Sequence, residues 1–479
     1  MNNQTKTPFF TELLKYSKSN TTSFDVPGHK MGELENDMTL NGGEILYKLD
    51  ANAPIGLDNL NKPKSVIKEA EELCAEAFNA KKAYFLVNGC TSAIQVMIMS
   101  VVKENEYILL PRNSHKSVIN AIILSGANPI FIEPEYDYEY GFAKNLSVDV
   151  IKQAIDNNPF AKAILLINPT YFGEVLDLEE VIDYAHKKNI YVLVDEAHGT
   201  HYSFSDLLPD SAISKNADII ASSMHKTGLS LTQSSVLFTN RLELDTEIRT
   251  IINMLQTTSP SSLLIASLDV ARKDLYFNSE NKINELFKYL KEFKEKAKEL
   301  NLIEVLDEEY FLNNNTYKYD STKLIVSFKK LGISGFRAYK LLKEKYNIQA
   351  ELGEKFVVLF VLTSSTTKED LDNLINAFVD MEKTINKQEL KEIKIFKNYP
   401  KQMIKPRDAY NSSKMDVKIE DSLGFISAES IMIYPPGIPL IVAGEQIDQN
   451  IIDIMIDYIN DGIVLYKDSP DGMIRVAKI

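Results

Sequence analysis

The sequence predicts an α/β protein whose largest domain is a mostly parallel sheet of seven strands with helices on both faces. Short apolar runs recur between residues 83 and 238, and helix-compatible segments lie between several of them. Strands that alternate with helices are typical of a parallel sheet covered on both sides. The predicted strands are Ala83–Val87, Tyr107–Leu110, Pro129–Ile132, Ala163–Ile167, Ile190–Val194, Asp218–Ala221 and Ser234–Phe238. The predicted helices include Ser65–Asn79, Ser92–Val102, Lys116–Leu124, Val148–Asp156 and Leu178–Lys188.

Beyond residue 265 the alternation ends and other patterns follow. Leu263–Leu300 is typical of one or two long amphipathic helices, and Lys323–Phe328 and Phe356–Leu362 are candidate strands of a smaller α+β domain. The lysine-rich stretch Lys383–Lys397 predicts a solvated helix or connector. The proline-rich stretch 434–439 predicts a rigid loop. The predicted divisions are an N-terminal arm (1–63), the large domain (64–265), linking helices with the small domain (266–385) and a C-terminal domain (386–479).

Composition narrows the class of protein. With 44% hydrophobic and 25% charged residues among 479, the chain has enough apolar residues for a substantial core. A net charge of −14 argues against nucleic-acid binding. The two cysteines, Cys74 and Cys90, favour a reducing compartment, and we find neither a signal-peptide core nor an apolar run of the ~18 residues that a membrane span needs. We expect a soluble cytoplasmic enzyme without a metal site.

Lys226 lies in the stretch SSMHKTG (222–228), between two predicted strands. Alone, a lysine in such a loop is more typical of a solvated surface residue than of a Schiff-base lysine that holds pyridoxal phosphate (PLP). Asp195 changes the balance, because it ends the continuous apolar run Ile190–Val194, where an open α/β sheet places its ligands. PLP enzymes pair a carboxylate with the pyridine nitrogen, which keeps the ring protonated and makes it a better electron sink. Asp195 and Lys226 therefore predict a PLP site.

The same stretch, Asp195-Glu196-Ala197-His198, is also a helicase signature. Such an enzyme needs a phosphate-binding loop of the form G-x-x-x-x-G-K-[ST]. No part of the chain matches that form. The helicase interpretation is therefore set aside.

Polar turns follow two further predicted strands. Asn88–Ala93 stands at a predicted helix N-terminus, which suits either a phosphate or an ordinary Ser/Thr cap. His115 follows the next strand, and its ring either lies over a planar cofactor or is structural. His29 and Lys30, in the arm, lie either in a surface turn or near a catalytic cleft, which would be that of a partner subunit.

Together these stretches resemble the bacterial ornithine/lysine/arginine decarboxylase family, in its short form and of PLP fold type I (aspartate aminotransferase-like). The resemblance covers nearly the whole chain. It is carried by seven pieces in the family's order, namely VPGHKMG, LDNL, VNGCTSA, RNSHKS, DEAHG, SSMHKTG and YPPGIPL. One departure is Cys90, which stands where the family commonly has serine, so phosphate binding would depend on Thr91 and Ser92.

The resemblance implies roles for individual residues. Lys226 would hold the cofactor, Asp195 would pair with the pyridinium, and His115 would stack on one ring face. Ala197 would pack on the other face with His198 beside it. The phosphate would be surrounded by Thr91, Ser92, Ser223 and His225. The family also implies a homodimer or larger assembly with active sites at the subunit interface.

We expect decarboxylation of a basic amino acid, with L-arginine (to agmatine and CO₂) as the preferred substrate and lysine and ornithine as alternatives. The product amine would enter polyamine biosynthesis. His115, His225 and Lys226 are all candidates to reprotonate Cα. A cationic substrate tail needs a carboxylate, and the candidates are Asp58, Glu429 and Glu445. Another fold type I enzyme, such as an aminotransferase or lyase, and a non-enzymatic PLP-binding regulator are the competing interpretations.

Overall fold

The computed structural model describes residues 3–19, 21–33, 35–314, 316–386, 399–433, 437–460 and 462–478. The α-helices are α1 (Pro8–Ser17), α2 (Glu44–Leu49), α3 (Val66–Ala77), α4 (Gly89–Val101), α5 (Lys116–Ser125), α6 (Val148–Asn157), α7 (Leu178–Lys187), α8 (Met224–Thr227), α9 (Asp245–Leu255), α10 (Ser262–Ala297), α11 (Glu308–Asn313), α12 (Gly335–Tyr346), α13 (Lys368–Thr384), α14 (Pro406–Asn411) and α15 (Gln449–Asn460). Within these described ranges, no helix is long and apolar enough to cross a membrane.

The strands are β1 (Lys82–Leu86), β2 (Tyr107–Pro111), β3 (Asn128–Ile132), β4 (Tyr136–Asp137), β5 (Phe142–Ala143), β6 (Ala163–Ile167), β7 (Glu174–Val175), β8 (Tyr191–Asp195), β9 (Ile219–Ser222), β10 (Ser235–Thr239), β11 (Glu304–Leu306), β12 (Lys318–Tyr319), β13 (Lys323–Ser327), β14 (Leu352–Gly353), β15 (Val357–Val361), β16 (Lys414–Lys418), β17 (Ile431–Ile433), β18 (Pro439–Ile441), β19 (Leu465–Tyr466) and β20 (Met473–Ala477). Seven of them form one mixed, mostly parallel sheet, which confirms the predicted fold class. Each predicted strand of that sheet lies within one residue of its observed bounds.

The chain divides into two compact units. The first comprises Met1–Val101, Tyr191–Asp206 and Asp210–Asn281. The second comprises Val102–Ile190, Leu207–Pro209 and Lys282–Ile479. Both units are discontinuous in sequence, whereas the predicted domain boundaries follow the chain in order and stay a prediction.

In the first unit, four neighbouring sheet strands run in the order β1-β10-β9-β8. β8 and β9 are parallel, and β10 is antiparallel to both β9 and β1. A parallel connection needs a crossover of about a dozen residues or more, usually a full helix. The link from Ser222 to Ser235 reaches only this minimum length, and its helix α8 is a single turn, too short to run back along the strand; β10 returns antiparallel.

Buried polar side chains fasten the N-terminal residues to α10 within this unit. Asp269 accepts the backbone N–H of Phe9 at 3.0 Å, and Arg272 donates to the carbonyl oxygen of Gln4 at 2.6 Å. Asp269 and Arg272 also pair with each other at 3.0 Å, with both side chains fully buried. These bonds satisfy charges that would otherwise be costly to bury.

The second unit contains three sheet strands in the order β6-β2-β3, all parallel. It also holds the predicted small α+β domain, with antiparallel strands β11-β13-β15-β14 and helices α12 and α13. Its C-terminal part packs α15 with strands β16 to β20 around an isoleucine-rich core. The predicted connector Lys383–Lys397 and the proline-rich loop fall partly on 387–398 and 434–436, which lie outside the described residues.

Candidate active site

Two neighbouring parallel strands of the first unit end at the candidate site. β8 ends at Asp195, whose Cα pairs with that of Ala221 in β9. β9 ends at Ser222, and the chain then turns into α8, which carries Lys226. The sequence predicts a loop here, but the structure has one helical turn, too short to give a periodic signal. Parallel strands end at the same sheet edge, so Asp195 and Lys226 come to one edge.

Lys226 is in contact with the side chain of a histidine. Its Nζ lies 2.8 Å from Nε2 of His198, which is hydrogen-bonding distance. His198 is buried, and Lys226 is half-buried. A lysine and a histidine in contact can pass a proton between them, because either nitrogen accepts when deprotonated.

Asp195 is a buried carboxylate held by the loop that follows it. One of its oxygens accepts the N–H of Ala197 at 3.1 Å, and Ala197 is itself buried. Burial raises the pKa of Asp195 above its usual value, while the positive charge of Lys226 and the Ala197 N–H oppose the rise. A nearby cation therefore favours the charged form of this carboxylate.

The turn at the start of α4 is shaped like an anion site. Gly89 has φ +75°, and no heavy atom lies within 4 Å of the place where a Cβ would stand. The first N–H groups of a helix lack intrahelical partners and favour an anion. Thr91 is exposed in this turn, and Ser92 is buried with its hydroxyl donating to the Gly89 carbonyl oxygen at 2.8 Å.

Cys90, in the same turn, is buried. Its burial raises the pKa of the thiol to about 12, with a further contribution from Asp195, while Ser223 and Lys226 oppose the rise. A thiol with so high a pKa stays protonated at neutral pH and is a poor nucleophile. Cys90 is therefore a small neutral side chain at this site.

Ser223 and His225 flank Lys226. The Ser223 hydroxyl is fully buried, and it makes no well-aligned hydrogen bond within the described part of the chain. The Cys90 thiol is its polar neighbour, and a thiol is a weak partner. Nδ1 of His225 lies 2.9 Å from the Ser234 carbonyl oxygen, to which it donates. Burial lowers the pKa of His225, so the ring is predominantly neutral at pH 7.

His115 belongs to the second unit and precedes α5. Its Nδ1 accepts the backbone N–H of Ser117 at 3.2 Å and lies 2.8 Å from the hydroxyl of the same residue. Because Nδ1 accepts, a neutral ring carries its proton on Nε2. This histidine thus caps α5, and the cap fixes the orientation of its ring.

The predicted substrate acid Asp58 caps α3. Its carboxylate accepts the backbone N–H of Ser65 at 2.7 Å, of Lys64 at 2.9 Å and of Ile67 at 3.2 Å. Burial pushes the pKa of Asp58 upward, but the backbone donors outweigh burial and hold the pKa below its usual value. A substrate role for Asp58 stays a prediction, and these bonds weigh against it.

The other two predicted acids are buried in the second unit. Glu429 accepts the N–H of Asp468 at 2.6 Å and of Arg475 at 2.7 Å. Glu445 forms a two-pronged ion pair with Arg112, with both contacts at 2.7 Å. Either acid would have to give up internal partners in order to bind a substrate cation. Their substrate role also stays a prediction.

Sequence reasoning missed two further residues near Asp195. Thr200 lies with its hydroxyl 2.7 Å from that of Ser222 and 3.1 Å from the Ser223 carbonyl oxygen, so it secures the start of α8. Glu196 accepts the N–H of Ala212 at 2.6 Å and the hydroxyl of Ser211 at 2.7 Å. Both lie in the DEAHGT stretch. The many polar residues that follow a buried strand there are the sequence feature that could have identified them.

Metal ligands do not cluster in the described ranges. Within them, no three His, Cys, Asp or Glu side chains lie together as a metal site would require.

Comparison with known families decides the assignment. The family model for the major domain of Orn/Lys/Arg decarboxylases matches residues 7–370, and the model for the C-terminal domain of the same family matches residues 389–463. The chain belongs to the Orn/Lys/Arg decarboxylase family. It is a PLP-dependent amino acid decarboxylase, and the resemblance found in the sequence is confirmed.

Individual relatives agree with this assignment. A protein of Bacillus subtilis (strain 168) named arginine decarboxylase is 38% identical over 99% of this chain and 98% of that protein. The inducible ornithine decarboxylase of Escherichia coli (strain K12) is 26% identical over 56% of this chain and 42% of that protein. The crystal structure of a Francisella novicida lysine decarboxylase shares the fold, with a TM-score of 0.83 at 21% identity over 98% of this decarboxylase and 81% of that chain.

The residues of the first unit fit PLP. Asp195 supplies a buried carboxylate, Lys226 an amine beside it, and Gly89 an open position at a helix N-terminus. The buried Ser223 hydroxyl, which has only the weak Cys90 thiol beside it among the described residues, suits a further ligand oxygen. These are the donor types that the aldehyde, ring nitrogen and phosphate of PLP require.

Proposed function

We propose that this decarboxylase converts L-arginine to agmatine and CO₂ at a site built around Lys226 and Asp195. The observation that carries the site is the convergence of a buried carboxylate and a lysine at the ends of two paired parallel strands. When bound, PLP draws into its protonated ring the electron pair that departing CO₂ leaves on Cα. The protein must therefore hold the cofactor, keep its ring nitrogen protonated and deliver a proton to Cα.

Asp195 is assigned to the ring nitrogen. Its burial means that a cationic partner inside the site interacts with it more strongly than in water. The Ala197 N–H holds the carboxylate in place, so its position is set before the cofactor binds. A carboxylate held in this way raises the pKa of a pyridine nitrogen beside it.

Lys226 is assigned as the lysine that would hold the cofactor and, once released, as a candidate acid to donate a proton to Cα. His198 lies 2.8 Å from Nζ and is its proton partner. A lysine must lose a proton before its amine becomes a nucleophile. His198 can take up that proton, which supports a role for the histidine beyond packing beside Ala197.

The phosphate is assigned to the start of α4 together with Thr91, Ser92, Ser223 and His225. The helix N-terminus and the open Gly89 turn support this placement. His225 holds its Nδ1 proton on the Ser234 carbonyl oxygen, which leaves Nε2 of the neutral ring as an acceptor. His225 therefore suits a protonated phosphate oxygen or a hydroxyl donor rather than a fully ionised oxygen.

Two residues are assigned to the faces of the cofactor ring by the family resemblance. His115 is proposed for one face and Ala197 for the other. The cap at the start of α5 fixes the orientation of the His115 ring, which suits a stacking role. Ala197 is small and buried, which suits packing against a planar group. A neutral His115 with its proton on Nε2 also carries a hydrogen-bond donor.

The choice of arginine depends on the relatives. The B. subtilis relative that matches over nearly the whole chain is named arginine decarboxylase, whereas the E. coli ornithine enzyme matches over 56% of it. The predicted guanidinium partners Asp58, Glu429 and Glu445 all already bind groups of their own chain, which weighs against a substrate role for each of them. A substrate with five N–H donors favours a bidentate carboxylate.

We also propose a cytoplasmic homodimer or larger assembly with active sites at the subunit interface. Free thiols at Cys74 and Cys90 support a reducing compartment. Large apolar side chains in the N-terminal arm are exposed in the single chain, among them Phe24, Leu40 and Ile55. A partner subunit that covered these side chains would remove their apolar surface from water.

Product identification tests the proposed reaction. The purified protein with PLP is given arginine, lysine and ornithine in separate reactions, and CO₂ and amines are measured by mass spectrometry. Agmatine from arginine, with the largest kcat/KM of the three, is the expected result. Cadaverine or putrescine as the preferred product would replace arginine by lysine or ornithine.

Lys226→Ala should lower kcat by at least ~10³-fold, within the range of a lost acid–base group. Lys215→Ala is the matched control, because Lys215 lies in the same unit and pairs with Asp210 at 3.6 Å. The control should retain full activity.

A further inference from the structure

Segment 437–445 forms hydrogen bonds with both ends of the turn 112–116, which carries His115 and lies in the same unit. On one side, the N–H of Lys116 donates to the Gly437 carbonyl oxygen at 3.1 Å. On the other side, the guanidinium of Arg112 donates to the Pro439 carbonyl oxygen at 2.9 Å and to that of Leu440 at 3.3 Å. His115 lies between these two anchoring points in the sequence.

Glu445 adds a buried ion pair with Arg112 to these contacts. Oε1 and Oε2 of Glu445 receive Nε and Nη2 of Arg112 at 2.7 Å each, and both residues are 1% exposed. Oε2 also accepts the N–H of Val442 at 2.7 Å. A two-pronged pair fixes orientation as well as distance, and removal of one partner leaves a buried charge.

Arg112 has little freedom to move without this partner moving too. Its backbone N–H donates to the Ile132 carbonyl oxygen at 2.9 Å, which continues the pairing of β2 with β3. Its guanidinium carbon lies 5.7 Å from the centre of the Phe131 ring and 4.9 Å from that of the Tyr399 ring. The side chain is therefore held between two aromatic rings and a carboxylate.

The residues between Arg112 and Lys116 transmit that position to the histidine. The Ser114 hydroxyl donates to the Pro111 carbonyl oxygen at 2.6 Å, and the His115 ring accepts the Ser117 N–H. Because these two hydrogen bonds lie within the turn and the start of α5, we expect the residues of the turn to move together. A displaced Arg112 would therefore displace the His115 ring.

We propose that Glu445 is a positioning residue for the decarboxylation: through Arg112 it fixes the turn 112–116 and so the place of the His115 ring. This inference depends on the proposed function, in which His115 lies against the cofactor. Glu445 itself acts through Arg112 rather than on the substrate. The C-terminal region thus affects the rate from a segment that begins more than 300 residues after the turn.

The test compares Glu445→Gln with Glu174→Gln, a matched buried acid of the same unit. Glu174 accepts the Asn145 N–H at 2.8 Å and the Thr316 hydroxyl at 2.8 Å. Glu445→Gln should lower kcat roughly 10–100-fold with KM for arginine within about twofold, because a misplaced catalytic group slows the chemical step. It should also raise the dissociation constant for PLP and alter the visible circular dichroism of the bound cofactor. Glu174→Gln should change thermal stability alone.

Two further variants separate positioning from mere stability. Arg112→Lys keeps the charge but loses the fork, so it should reproduce the effects of Glu445→Gln. Glu445→Asp keeps a carboxylate and should recover part of kcat and of the circular dichroism signal. In the double variant Arg112→Lys/Glu445→Gln, the loss of kcat should be well below the product of the single losses, as for residues that act together.

Each failure has its own signature. Loss of kcat in Lys226→Ala together with unchanged PLP affinity, dichroism and kcat in Glu445→Gln would overturn this inference and leave the proposed function intact. Retention of activity in Lys226→Ala would overturn the proposed function itself. If the single variants do not fold, hydrogen exchange in the unaltered apoprotein is the deciding measurement. Equal protection of residues 112–118 and 437–445 would support the inference. Protection of the turn while segment 437–445 exchanges would overturn it.

Discussion

The carboxylate of Asp195 is buried, and burial disfavours its charged form. Burial raises its pKa, and the charge of Lys226 is the main opposing effect. Such a perturbed acid beside a charged partner is typical of functional sites. A protonated cofactor ring in the site would add a second cation and would stabilise the ionised form further.

Asp195→Asn keeps the shape of the side chain and removes its charge. We expect kcat to fall by roughly 10²–10³-fold, the range seen when one preorganised electrostatic partner is lost. PLP should still bind, and its absorbance should shift with pH as the ring nitrogen loses its stabilising partner. Steady-state kinetics and absorbance titration check both effects.

Asp218→Asn is the control for this prediction. Asp218 is buried in the same unit and accepts the Val192 N–H at 2.6 Å. It should lower stability without changing the rate per folded molecule. Equal losses of kcat in both variants would contradict a specific role for Asp195.

Glu196 gives a prediction about pH. Burial raises its pKa from 4.5 to about 8, although the Ala212 N–H and the Ser211 hydroxyl oppose the rise. Between those two pH values the folded protein holds a proton that the unfolded chain has lost. Stability should therefore decrease as pH rises through this window, by up to about 1.4 kcal/mol per pH unit.

Glu196→Gln should remove this contribution. The free energy of unfolding of the variant, relative to the unaltered protein, should increase as pH rises from 5 to 8. Denaturant unfolding at several pH values measures the difference. A difference that is constant with pH would show that Glu196 has an ordinary pKa in the folded protein.

At the residue scale, the sequence identifies groups that follow strand ends and misses contacts between loops. Asp195 follows a continuous apolar run, so its place at a sheet edge was predictable. The contact of Lys226 with His198 and the pair of Arg112 with Glu445 join residues far apart in sequence, 28 and 333 positions respectively. Such contacts depend on loop conformations that carry no periodic signal.

At the element scale, α3 depends on a cap from outside the helix. Ser65 precedes the helix without a side-chain cap, and Asp58 supplies the acceptor instead. A negative charge at a helix N-terminus also interacts favourably with the helix dipole. Asp58 therefore stabilises the start of α3.

Asp58→Ala should destabilise the protein by about 1–2 kcal/mol, the cost of a lost N-cap. Asp58→Asn keeps one acceptor oxygen and should cost less. Thermal unfolding measures the stability, and KM for arginine should be unchanged in both variants. A KM that rises for arginine but not for an uncharged analogue would instead assign Asp58 to the substrate.

The strands and long helices were predictable, whereas the short helix α8 was not. Buried parallel strands read as continuous apolar runs, and their ends agree within one residue. α4 begins at Gly89, three residues before its predicted start at Ser92. The residues that were expected to form a turn before the helix instead form its first turn. The prediction missed them because a glycine and small polar residues give no helical pattern.

At the scale of the whole molecule, the exposed apolar side chains near the N-terminus support the proposed second copy of the chain. Phe24 is 92% exposed and Ile55 is fully exposed. Exposure of large apolar side chains is unfavourable in water, and an interface would cover them. The arm is therefore the surface that we expect a partner subunit to cover.

The double variant Phe24→Asp/Ile55→Asp should weaken the dimer, because charges in an apolar interface lose hydration without a partner. Sedimentation velocity should show a shift from dimer to monomer and a parallel loss of activity. Leu207→Asp is the control, since Leu207 is an exposed apolar residue outside the arm. A fully active monomer would contradict the interface-site proposal.

The central claim, that Lys226 holds the cofactor, has one most direct measurement. The purified protein is treated with borohydride, which fixes a cofactor bonded to a lysine as a stable amine, and the modified peptide is sequenced by mass spectrometry. The account predicts the phosphopyridoxyl group on Lys226 in the peptide that contains SSMHKTG. A label on another lysine, or no label in a protein that still releases CO₂ from arginine, would contradict it.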